Sequence, residues 1–473
     1  MLFALCAMLA VSSSAQVTSG VAFGIDNSVI TETIQFITPF IQRILPKVVI
    51  PEIEQDGFTV SNVKVNSDTI DKNGVIVQFQ QLDNSVQVDL NDVAIDITGD
   101  FKYKWFFISF SGNFEAKVEQ GGAQIQMGLP LSTQICPDSG RQVLDIQVNP
   151  FNLYMDKSKI DISIGGGVVA DIAEAFVWLF QSVIINSITK EINEKVPAAL
   201  ETDLNAALAN SNGVVSIGGM SLDIALPEAP VITSSEQLDV YLNATFFNVS
   251  FGEILPDTNL PSISMNMNTT ESVQLDVSDY SIDSLLLVLH EEGKIAFELT
   301  NDTIPELTTT MLEPLLPGLI ERYGDGQGMA IKISSAEAPF ASLTPDTLDF
   351  DLNLFLDFWV VGNESAVVLD AHDVDTKIKL TFTNFTLYPK VDSISFGKFT
   401  YSDSKIGDLD MFAIKEFLNI GIKFVLPVLN KHLASGFQLP DEILHFIKIE
   451  SADFEILQDY MAITFSPVFK RII

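Results

Sequence analysis

The chain has 473 residues, of which 47% are hydrophobic, and its formal net charge is −36. This length exceeds what one hydrophobic core can organise and predicts two or three domains. The negative charge excludes nucleic acid as a natural partner and disfavours charge-driven docking on anionic membranes. Mean hydropathy is +0.29. That value leaves two explanations open: membrane spans, or an apolar wall that faces something other than the chain's own core.

The N-terminal segment Met1–Ala15 is a short apolar run that ends in small residues, with Ser13 and Ala15 at the −3 and −1 positions of a candidate cleavage site. Crossing a bilayer takes roughly 18 or more apolar residues, so the segment resembles a cleaved secretory signal more than an anchor, although it lacks a basic start. We therefore expect a secreted, extracellular protein. After cleavage one cysteine remains, Cys136, which excludes an internal disulfide and favours a partly buried thiol over a bridge between chains.

The first predicted elements are a helix and a β-meander. Residues 26–47 carry one apolar stripe in steps of four and three, which predicts a helix with a kink at Pro39. The stripe consists of Ile30, Ile34, Ile37, Ile41 and Ile44. From Phe58 to Ile164 apolar and polar residues alternate, which predicts a long antiparallel meander with one apolar face. The apolar set changes parity between Leu90 and Val93, which predicts a β-bulge.

Residues Gly166–Asn210 return to helical spacing and predict a second, longer helix that Pro197 breaks or kinks. Its apolar stripe consists of Ile172, Phe176, Leu179, Val183, Ile188, Ile192 and Val196. A membrane span over Val168–Ile188 is disfavoured, because polar and charged side chains there would be costly in hydrocarbon. They are Asp171, Glu174, Gln181 and Asn186.

The segment Ala225–Gln237 interrupts the regular pattern with two prolines and a Thr-Ser-Ser run, which predicts a stiff extended connector. It divides the chain into a signal segment 1–15, an N-terminal domain 16–224, the linker 225–237 and a C-terminal domain 238–473.

The C-terminal half is predicted to repeat the order of the N-terminal half, namely helix, meander, long proline-interrupted helix and final strand, and this repetition indicates an internal duplication. The predicted helices cover Asp302–Tyr323 and Met411–Ala434, with Pro427 late in the second. The predicted strands cover Val273–Val277, Ser284–His290, Lys294–Leu299, Met329–Ile333, Leu348–Val361, Asp375–Tyr388, Phe446–Glu450 and Tyr460–Val468.

Recognisable catalytic chemistry is missing from the sequence. It contains no G-x-S-x-G elbow, no P-loop and no H-E-x-x-H, and its four histidines are scattered over different predicted elements. The group Asp370, His372, Asp373 and Asp375 could bind a divalent cation, but it lacks the glycine and distant glutamate of an EF-hand loop, so a solvated acidic turn is the better interpretation. We therefore expect no enzyme activity, no cofactor and no metal, with a hydrolase as the least favoured alternative.

Two surface features carry more information. Six N-x-[ST] sequons, candidate glycosylation sites, fit a secreted protein: Asn243, Asn248, Asn268, Asn301, Asn363 and Asn384. The second feature is a predicted hairpin tip that reads YKWFF, with Trp105, Phe106 and Phe107 near the turn. Aromatic rings beside two lysines suit a membrane interface, but the same rings could equally fold back onto the sheet as core.

Several stretches resemble the family of bactericidal/permeability-increasing protein and lipopolysaccharide-binding protein, which also includes phospholipid and cholesteryl ester transfer proteins. They are ITGDFKYKWFFISFSGNFEAKVE, LPEAPVITSSEQLDVYLNATFF, LDVSDYSIDSLLLVLHEEGKIAFELTNDTIP and VLPVLNKHLASGFQLP, and the resemblance covers nearly the whole mature chain in order. It implies an α+β boomerang of two similar domains, each a strongly twisted antiparallel sheet wrapped around a long helix, joined by a central sheet. It also implies an apolar tunnel for acyl chains in each domain, which would explain the high hydrophobicity.

The chain departs from this family in two ways. The family's usual disulfide would join Cys136 to a cysteine in the long helix, but the position that matches is Pro197, so the bridge is absent. Members that bind endotoxin carry a basic tip, whereas this hairpin keeps only Lys102 and Lys104. Binding lipid A phosphates requires Lys and Arg donors, so the sequence favours carriage of phospholipid or neutral lipid over endotoxin recognition.

The resemblance and the residues together predict a secreted lipid-binding or lipid-transfer protein without covalent catalysis. Its expected partners are phospholipid or neutral lipid and, transiently, a membrane or lipoprotein surface. Candidate tunnel-lining residues lie on the two helices of the N-terminal domain: Phe36, Phe40, Ile44, Phe176, Leu179 and Val183. The alternative is an innate-immune protein that binds lipopolysaccharide or kills bacteria.

Overall fold

The computed structural model describes residues 17–29, 38–70, 74–166, 170–210, 212–217, 219–256, 259–263, 265, 271–302, 304–383, 386–438, 442–443 and 447–469. The candidate signal segment, Phe36, Asn268, Asn384 and His445 lie outside these residues. The chain divides into two units. The N-terminal unit consists of Gly24–Gly213 with Glu228–Val240, and the C-terminal unit of Val214–Pro227 and Tyr241–Ile473 with the segment up to Phe23.

Strands dominate both units. In chain order the strands are β1 Val17–Thr18, β2 Val21–Asp26, β3 Ile53–Gln55, β4 Phe58–Ile70, β5 Val75–Gln80, β6 Ser85–Trp105, β7 Ile108–Ile135, β8 Gln142–Ile146, β9 Phe151–Met155, β10 Ile160–Ile164, β11 Val214–Ile217, β12 Met220–Asp223, β13 Val231–Ile232, β14 Gln237–Leu242, β15 Phe246–Phe247, β16 Ser262–Ile263, β17 Val273–Ser278, β18 Ala296–Thr300, β19 Met329–Ser335, β20 Phe340–Thr344, β21 Thr347–Val360, β22 Ser365–Thr383, β23 Thr386–Ser404, β24 Phe437–Gln438, β25 Glu442–Ile443, β26 Ile447–Ile456 and β27 Tyr460–Phe469. The helices are α1 Thr38–Ile44, α2 Ala170–Leu179, α3 Ile185–Ala209, α4 Asp279–Glu291, α5 Thr309–Leu312, α6 Leu319–Tyr323 and α7 Met411–Leu433.

The N-terminal unit is built on an eight-stranded antiparallel sheet in the order β10-β7-β6-β4-β3, with β5 beside β6 and with β8 and β9 beside β7. Its alternating sequence buries one face, as Ile95 and Ile97 on β6 show. The predicted bulge is confirmed, since the register between β6 and β7 shifts between Leu90 and Val93.

The long helix of the N-terminal unit begins as α2, widens into a π-helical turn at Phe180–Ile184 and continues as α3 through Pro197. Its stripe from Phe176 to Leu200 is buried in the same core as the inner face of the sheet. By length and composition Ile172–Ala206 could cross a membrane. A core helix passes the same test, and burial of the apolar stripe against the sheet is the arrangement of a core helix.

The C-terminal unit has a seven-stranded antiparallel sheet in the order β18-β19-β21-β22-β23-β24, with β20 beside β21. Helix α7 packs on it, and Ile414 of this helix is buried in the core formed by strands β19 to β23. Asp410 caps α7, because its carboxylate accepts the N–H groups of Phe412 at 3.0 Å and Ala413 at 3.1 Å. The same unit contains the antiparallel strands β17, β27, β26 and β25.

Three predictions for the C-terminal half were wrong. The predicted strand Ser284–His290 lies in helix α4, which Ser278 caps by accepting the N–H of Ser281 at 3.3 Å. The periodicity of a short apolar run does not distinguish a strand from a buried helix. The helix cap at Ser278 is the local signal that indicates a helix here. The predicted helix Asp302–Tyr323 contains only the short helices α5 and α6, and the predicted strand Asp375–Tyr388 spans the end of β22 and the start of β23.

The predicted fold class is confirmed. The chain is a mixed α+β protein made mostly of strands, with curled antiparallel sheets and a long helix in each unit. With α4 assigned as a helix, the two halves of the chain share one more feature. Helix α4 directly follows strand β17, and residues 27–29, which have helical geometry, directly follow strand β2.

Candidate functional site

An aromatic cluster lies at the centre of the N-terminal unit. Phe176 on α2 is 0% exposed, and its ring centroid lies 4.5 Å from that of Phe101 and 5.3 Å from that of Phe114. Phe180 in the π-helical turn lies 5.4 Å from Phe114. Rings at these separations attract each other beyond the gain from burial, so the cluster ties the helix to strands β6 and β7.

A cavity of about 1060 Å³ lies beside this cluster. It is lined by five segments, residues 46–50, 62–64, 98–100, 113–115 and 163–165. The lining is part apolar and buried, part polar and exposed. Such a cavity presents apolar and charged surface to a single ligand, which is the requirement for holding an amphipathic molecule.

Strand β4 is bulged where it borders this cavity. Ser61 pairs with Asp100 and Lys64 with Thr98, so two residues of β4 lie opposite Gly99 alone. Asn62, the first of them, has φ 51°, a left-handed conformation that asparagine tolerates. Gly99 provides room for a ring, because a Cβ added there would lie 2.7 Å from Cε1 of Phe114. The floor of the cavity is therefore formed by one ring of the buried cluster.

A second cavity, of about 510 Å³, lies on the other side of residues 47–49 and is also lined by residues from α3. The two cavities share Lys47, Val48 and Val49. Segment 46–50 is held in place by Lys195, whose Nζ donates to the carbonyl oxygen of Val49 at 2.6 Å. The segment therefore lies between the two cavities. Val49 itself is 72% exposed and does not belong to the packed core.

The six candidate tunnel-lining residues have different positions. Ile44 is buried and lines the second cavity, whereas Phe176 and Leu179 are buried in the core behind the floor of the first. Val183 is half-buried against the same core. Phe40 lies in α1, but its side chain is outside the described part of the structure, as is all of Phe36. That these residues line a lipid tunnel stays a prediction.

The hairpin tip between β6 and β7 projects its rings into solvent. Phe106 is 86% exposed with φ 51°, and Phe107 is fully exposed. Lys102 and Lys104 on β6 are exposed as well, while the side chain of Trp105 is not described. The rings of Phe106 and Phe107 therefore do not fold back onto the sheet as core. That the tip contacts a membrane stays a prediction.

The acidic group around His372 lies on one strand and its neighbours. Asp373 and Asp375 are exposed and lie within strand β22, not in the predicted turn. Asp373 adopts a left-handed φ of 54° inside this strand. His372 bonds to Thr400 through Nε2 at 3.1 Å. Among the described residues no group of three His, Cys, Asp or Glu side chains is arranged to hold a metal ion.

Cys136 is a buried thiol whose Sγ lies 3.8 Å from the carbonyl oxygen of Ala209. Ala209 comes twelve residues after Pro197, which is about 18 Å along a helix at 1.5 Å per residue. The predicted match of Pro197 to the partner of Cys136 is therefore wrong, because the end of α3 faces the thiol.

The sequons that the structure describes differ in accessibility. Asn363 is exposed in the turn between β21 and β22, whereas Asn243 and Asn301 are half-buried. The side-chain amide of Asn248 donates to the carboxylate of Glu292.

Burial shifts the titration of several carboxylates in the C-terminal unit. Asp276 on β17 is 0% exposed, and burial raises its pKa from 3.8 to about 6, opposed by a hydrogen bond from Gln274. Burial also raises the pKa of Asp279, and Asp459 adds to the rise. For Asp351 burial is again the first cause, followed by repulsion from Asp375 and Asp373. None of these groups lines the two cavities of the N-terminal unit.

The cavity beside Gly99 was missed at the sequence level, although a signal for it was present. The buried residues of β4 are Phe58 and Val60 and then Val63 and Val65, which is the same change of parity that predicted the bulge after Leu90. Applied to β4, this criterion predicts the bulge that borders the cavity.

Comparison with known proteins connects this fold to one family. Residues 219–466 match the model of the LBP / BPI / CETP family, C-terminal domain. The human lipopolysaccharide-binding protein is 24% identical over 389 residues, which cover 80% of this chain and 77% of that protein. The bactericidal permeability-increasing protein of Sebastes schlegelii is 21% identical over 391 residues, covering 80% and 79%.

A solved crystal structure of lipopolysaccharide-binding protein has the same fold, with a TM-score of 0.52 and 19% identity over 96% of this chain and 100% of that one. The family model extends over more than half of the chain. The chain therefore belongs to the LBP / BPI / CETP family.

Proposed function

We propose that this chain is a secreted lipid-binding protein without covalent catalysis, and that its N-terminal unit holds the acyl chains of a phospholipid or a neutral lipid. The observation that carries the proposal is the cavity of about 1060 Å³, whose lining changes from exposed polar side chains to buried residues of the main core. The family relationship supports lipid as the ligand, since relatives are named for binding lipopolysaccharide.

Removal of acyl chains from water would provide the free energy of binding. Each buried CH2 contributes roughly 0.8 kcal/mol, so two chains outweigh an immobilisation cost of several kcal/mol. In this proposal Ile44 lines the second cavity directly, and Phe36, Phe40, Phe176, Leu179 and Val183 would contact acyl chains only if the helices move apart to admit the lipid. The bulge of β4 borders the first cavity.

The experiment is native mass spectrometry with lipid extraction, performed on the chain secreted from a eukaryotic host. We expect one or two phospholipid or neutral-lipid molecules per wild-type chain. Val49→Asp should lower this stoichiometry, because it places a carboxylate on the lining of both cavities at a residue exposed enough to fold with it.

Leu82→Asp is the matched control, because Leu82 is 99% exposed in the same unit and lines neither cavity. A well-folded wild-type chain without lipid would contradict the proposed function. Equal stoichiometry in the two variants would contradict the assignment of the site while leaving lipid binding intact.

The hairpin tip supports a second candidate, recognition of a bacterial envelope lipid or contact with a membrane surface. Trp105, Phe106 and Phe107 would enter the interface, with Lys102 and Lys104 beside lipid phosphates. Vesicle cosedimentation of Phe106→Ser/Phe107→Ser against wild type tests the contact. Binding that falls steeply with salt would favour anionic lipid recognition, and binding indifferent to salt would favour carriage within the unit.

Secretion would expose the sequons to glycosylation. Among the described asparagines Asn363 is the most accessible acceptor, and Asn243, Asn248, Asn268, Asn301 and Asn384 complete the proposed set. Mass loss on enzymatic removal of N-glycans, mapped by peptide analysis, tests each site.

A further inference from the structure

We propose that the free edge of strand β10 receives an extended basic peptide as an additional antiparallel strand, whose apolar side chains enter the groove between β10 and helix α2. This inference goes beyond lipid binding, because it concerns a different surface of the N-terminal unit. The groove has a volume of about 510 Å³ and is lined by Ile162 and Ile164 of β10 and by residues of the long helix. It shares only Ile164 with the first cavity and no residue with the second.

Strand β10 lies at one end of the eight-stranded sheet, and among the described strands it pairs with β7 alone. Beyond its last residue, the backbone N–H of Gly165 donates to the carbonyl oxygen of Asn113 on β7 at 2.9 Å. Bonded and non-bonded pairs alternate along an antiparallel ladder, so the backbone groups of Asp161 and Ser163 turn towards β7. The backbone groups of the alternate residues point away from the sheet: Ile160, Ile162 and Ile164. Such an edge is a template for a further strand.

Helix α2 provides the opposite wall of the groove. Trp178 is 61% exposed there, and Val177 is half-buried. Gln181 bounds one end, because its side-chain amide donates to the carbonyl oxygen of Lys157, just before β10, at 3.4 Å. Residues directly opposite each other on neighbouring strands point to the same face of a sheet. A ligand residue opposite Ile162 therefore directs its side chain into the groove beside Trp178, where an apolar group would be removed from water.

The charge around the groove indicates a basic ligand. Glu174 is the only ionisable side chain among the described residues that line it, and Asp161 is exposed on the other face of β10. Lys159, just before β10, donates its Nζ to the carbonyl oxygen of Gly121 at 3.0 Å. The net charge of −36 attracts a basic peptide and repels a second copy of this chain. An acyl chain would leave the outward backbone groups of β10 without partners, so a peptide with alternating apolar and basic side chains fits best.

The test is the fluorescence anisotropy of a short labelled peptide of alternating valine and lysine, titrated with the full secreted chain. In an antiparallel pair a valine opposite Ile162 exchanges both backbone hydrogen bonds with it, so the valine N–H groups face β10 and the lysine N–H groups face away. Two methylated peptides are compared, one with N-methylated valines and one with N-methylated lysines. The first should lose roughly tenfold or more in affinity, because it lacks the donors of several hydrogen bonds. The second should bind as the parent peptide does.

Two variants of the chain test the groove itself. Trp178→Ala should weaken binding of the parent peptide roughly tenfold, because it removes the exposed ring that faces Ile162 across the groove. Glu174→Gln should weaken it less and should reduce its dependence on salt. The matched control is Tyr154→Ala, which removes a ring of the same 61% exposure from β9 and does not alter the groove.

The inference is overturned if the parent peptide does not bind, if the two methylated peptides bind equally or in the reverse order, or if Trp178→Ala binds as wild type does. Two further results would give the groove another occupant and would also overturn it. One is displacement of the peptide by a short-chain phosphatidylcholine whose binding depends equally on Trp178. The other is a dimer of the wild-type chain that Trp178→Ala dissociates. None of these results decides the proposed function, because Trp178 and Glu174 line neither the first nor the second cavity.

Discussion

The buried carboxylate of Asp276 predicts that the C-terminal unit loses stability as the pH rises. Its side chain has no solvent exposure, and both carboxylate oxygens accept from Nε2 of Gln274, at 2.9 and 3.2 Å. Burial disfavours the charged form and raises the pKa of Asp276 from 3.8 to about 6. The folded state therefore binds this proton more tightly than the unfolded chain does. The resulting stability is fully present below pH 3.8 and is lost as the pH rises through about 6.

The perturbation is Asp276→Asn, which removes the titration and keeps an oxygen that can accept from Gln274. At 1.36 kcal/mol per pH unit, the difference between 3.8 and about 6 corresponds to at most about 3 kcal/mol. We expect the difference in free energy of unfolding between variant and wild type to change by on the order of this amount from pH 4 to pH 8, in favour of the variant. The other raised carboxylates, such as Asp279 and Asp351, are present in both proteins and cancel in this difference.

The assay is denaturant unfolding monitored across this pH range, with Glu416→Gln as the control, because Glu416 is an exposed acid on α7 of the same unit. The control separates the effect of removing the buried carboxylate from the effect of removing one negative charge from the unit. A difference between Asp276→Asn and wild type that stays constant from pH 4 to pH 8 would refute the reasoning, since it would mean that the carboxylate is hydrated in the folded state.

Three further predictions concern packing. Phe176→Ala should lower the free energy of unfolding of the N-terminal unit by about 3–5 kcal/mol, measured in denaturant, whereas Trp178→Ala, at a 61% exposed residue, should cost far less. Asp410→Ala should destabilise the C-terminal unit by about 1 kcal/mol and Asp410→Asn should not, because Asn also caps a helix. Cys136, 1% exposed, should react with a thiol reagent only as the N-terminal unit unfolds; fast reaction of the folded chain would contradict its burial.

Periodicity predicted the elements with a long, regular pattern. The meander from Phe58 to Ile164, the helix from Gly166 to Asn210 and the helix at Met411 all lie where alternation or helical spacing indicated them. Each of these patterns is local, because it follows from how side chains leave a strand or a helix. The prediction of a strand at Ser284–His290 was wrong because this segment is apolar at successive positions and so shows no clear period. The signal for a helix lies outside the segment, in the cap at Ser278.

The candidate site was predicted only in part. The sequence pattern indicated the two helices of the N-terminal unit as the lining of a lipid site. Ile44 does line the second cavity, but Phe176 and Leu179 are buried in the core and line neither cavity. Which side of a helical stripe contacts sheet and which side borders open space depends on the partner surface. At the tip, alternation placed Phe106 and Phe107 beside a turn but could not determine whether their rings point outward, which the structure shows.

Composition, alternation and family resemblance were thus sufficient, from the sequence by itself, for the α+β class, the two-part organisation and the expectation of a lipid ligand. The tertiary structure alone decided where a cavity opens and which charges border it. Lys47, Lys64, Asp100 and Glu115 lie on four different segments, and they meet only because the strand register and the bulge at Asn62 bring those segments together. The sequence pattern of each strand contains no information about its neighbours across the sheet, so such a site becomes visible only after the strands are paired.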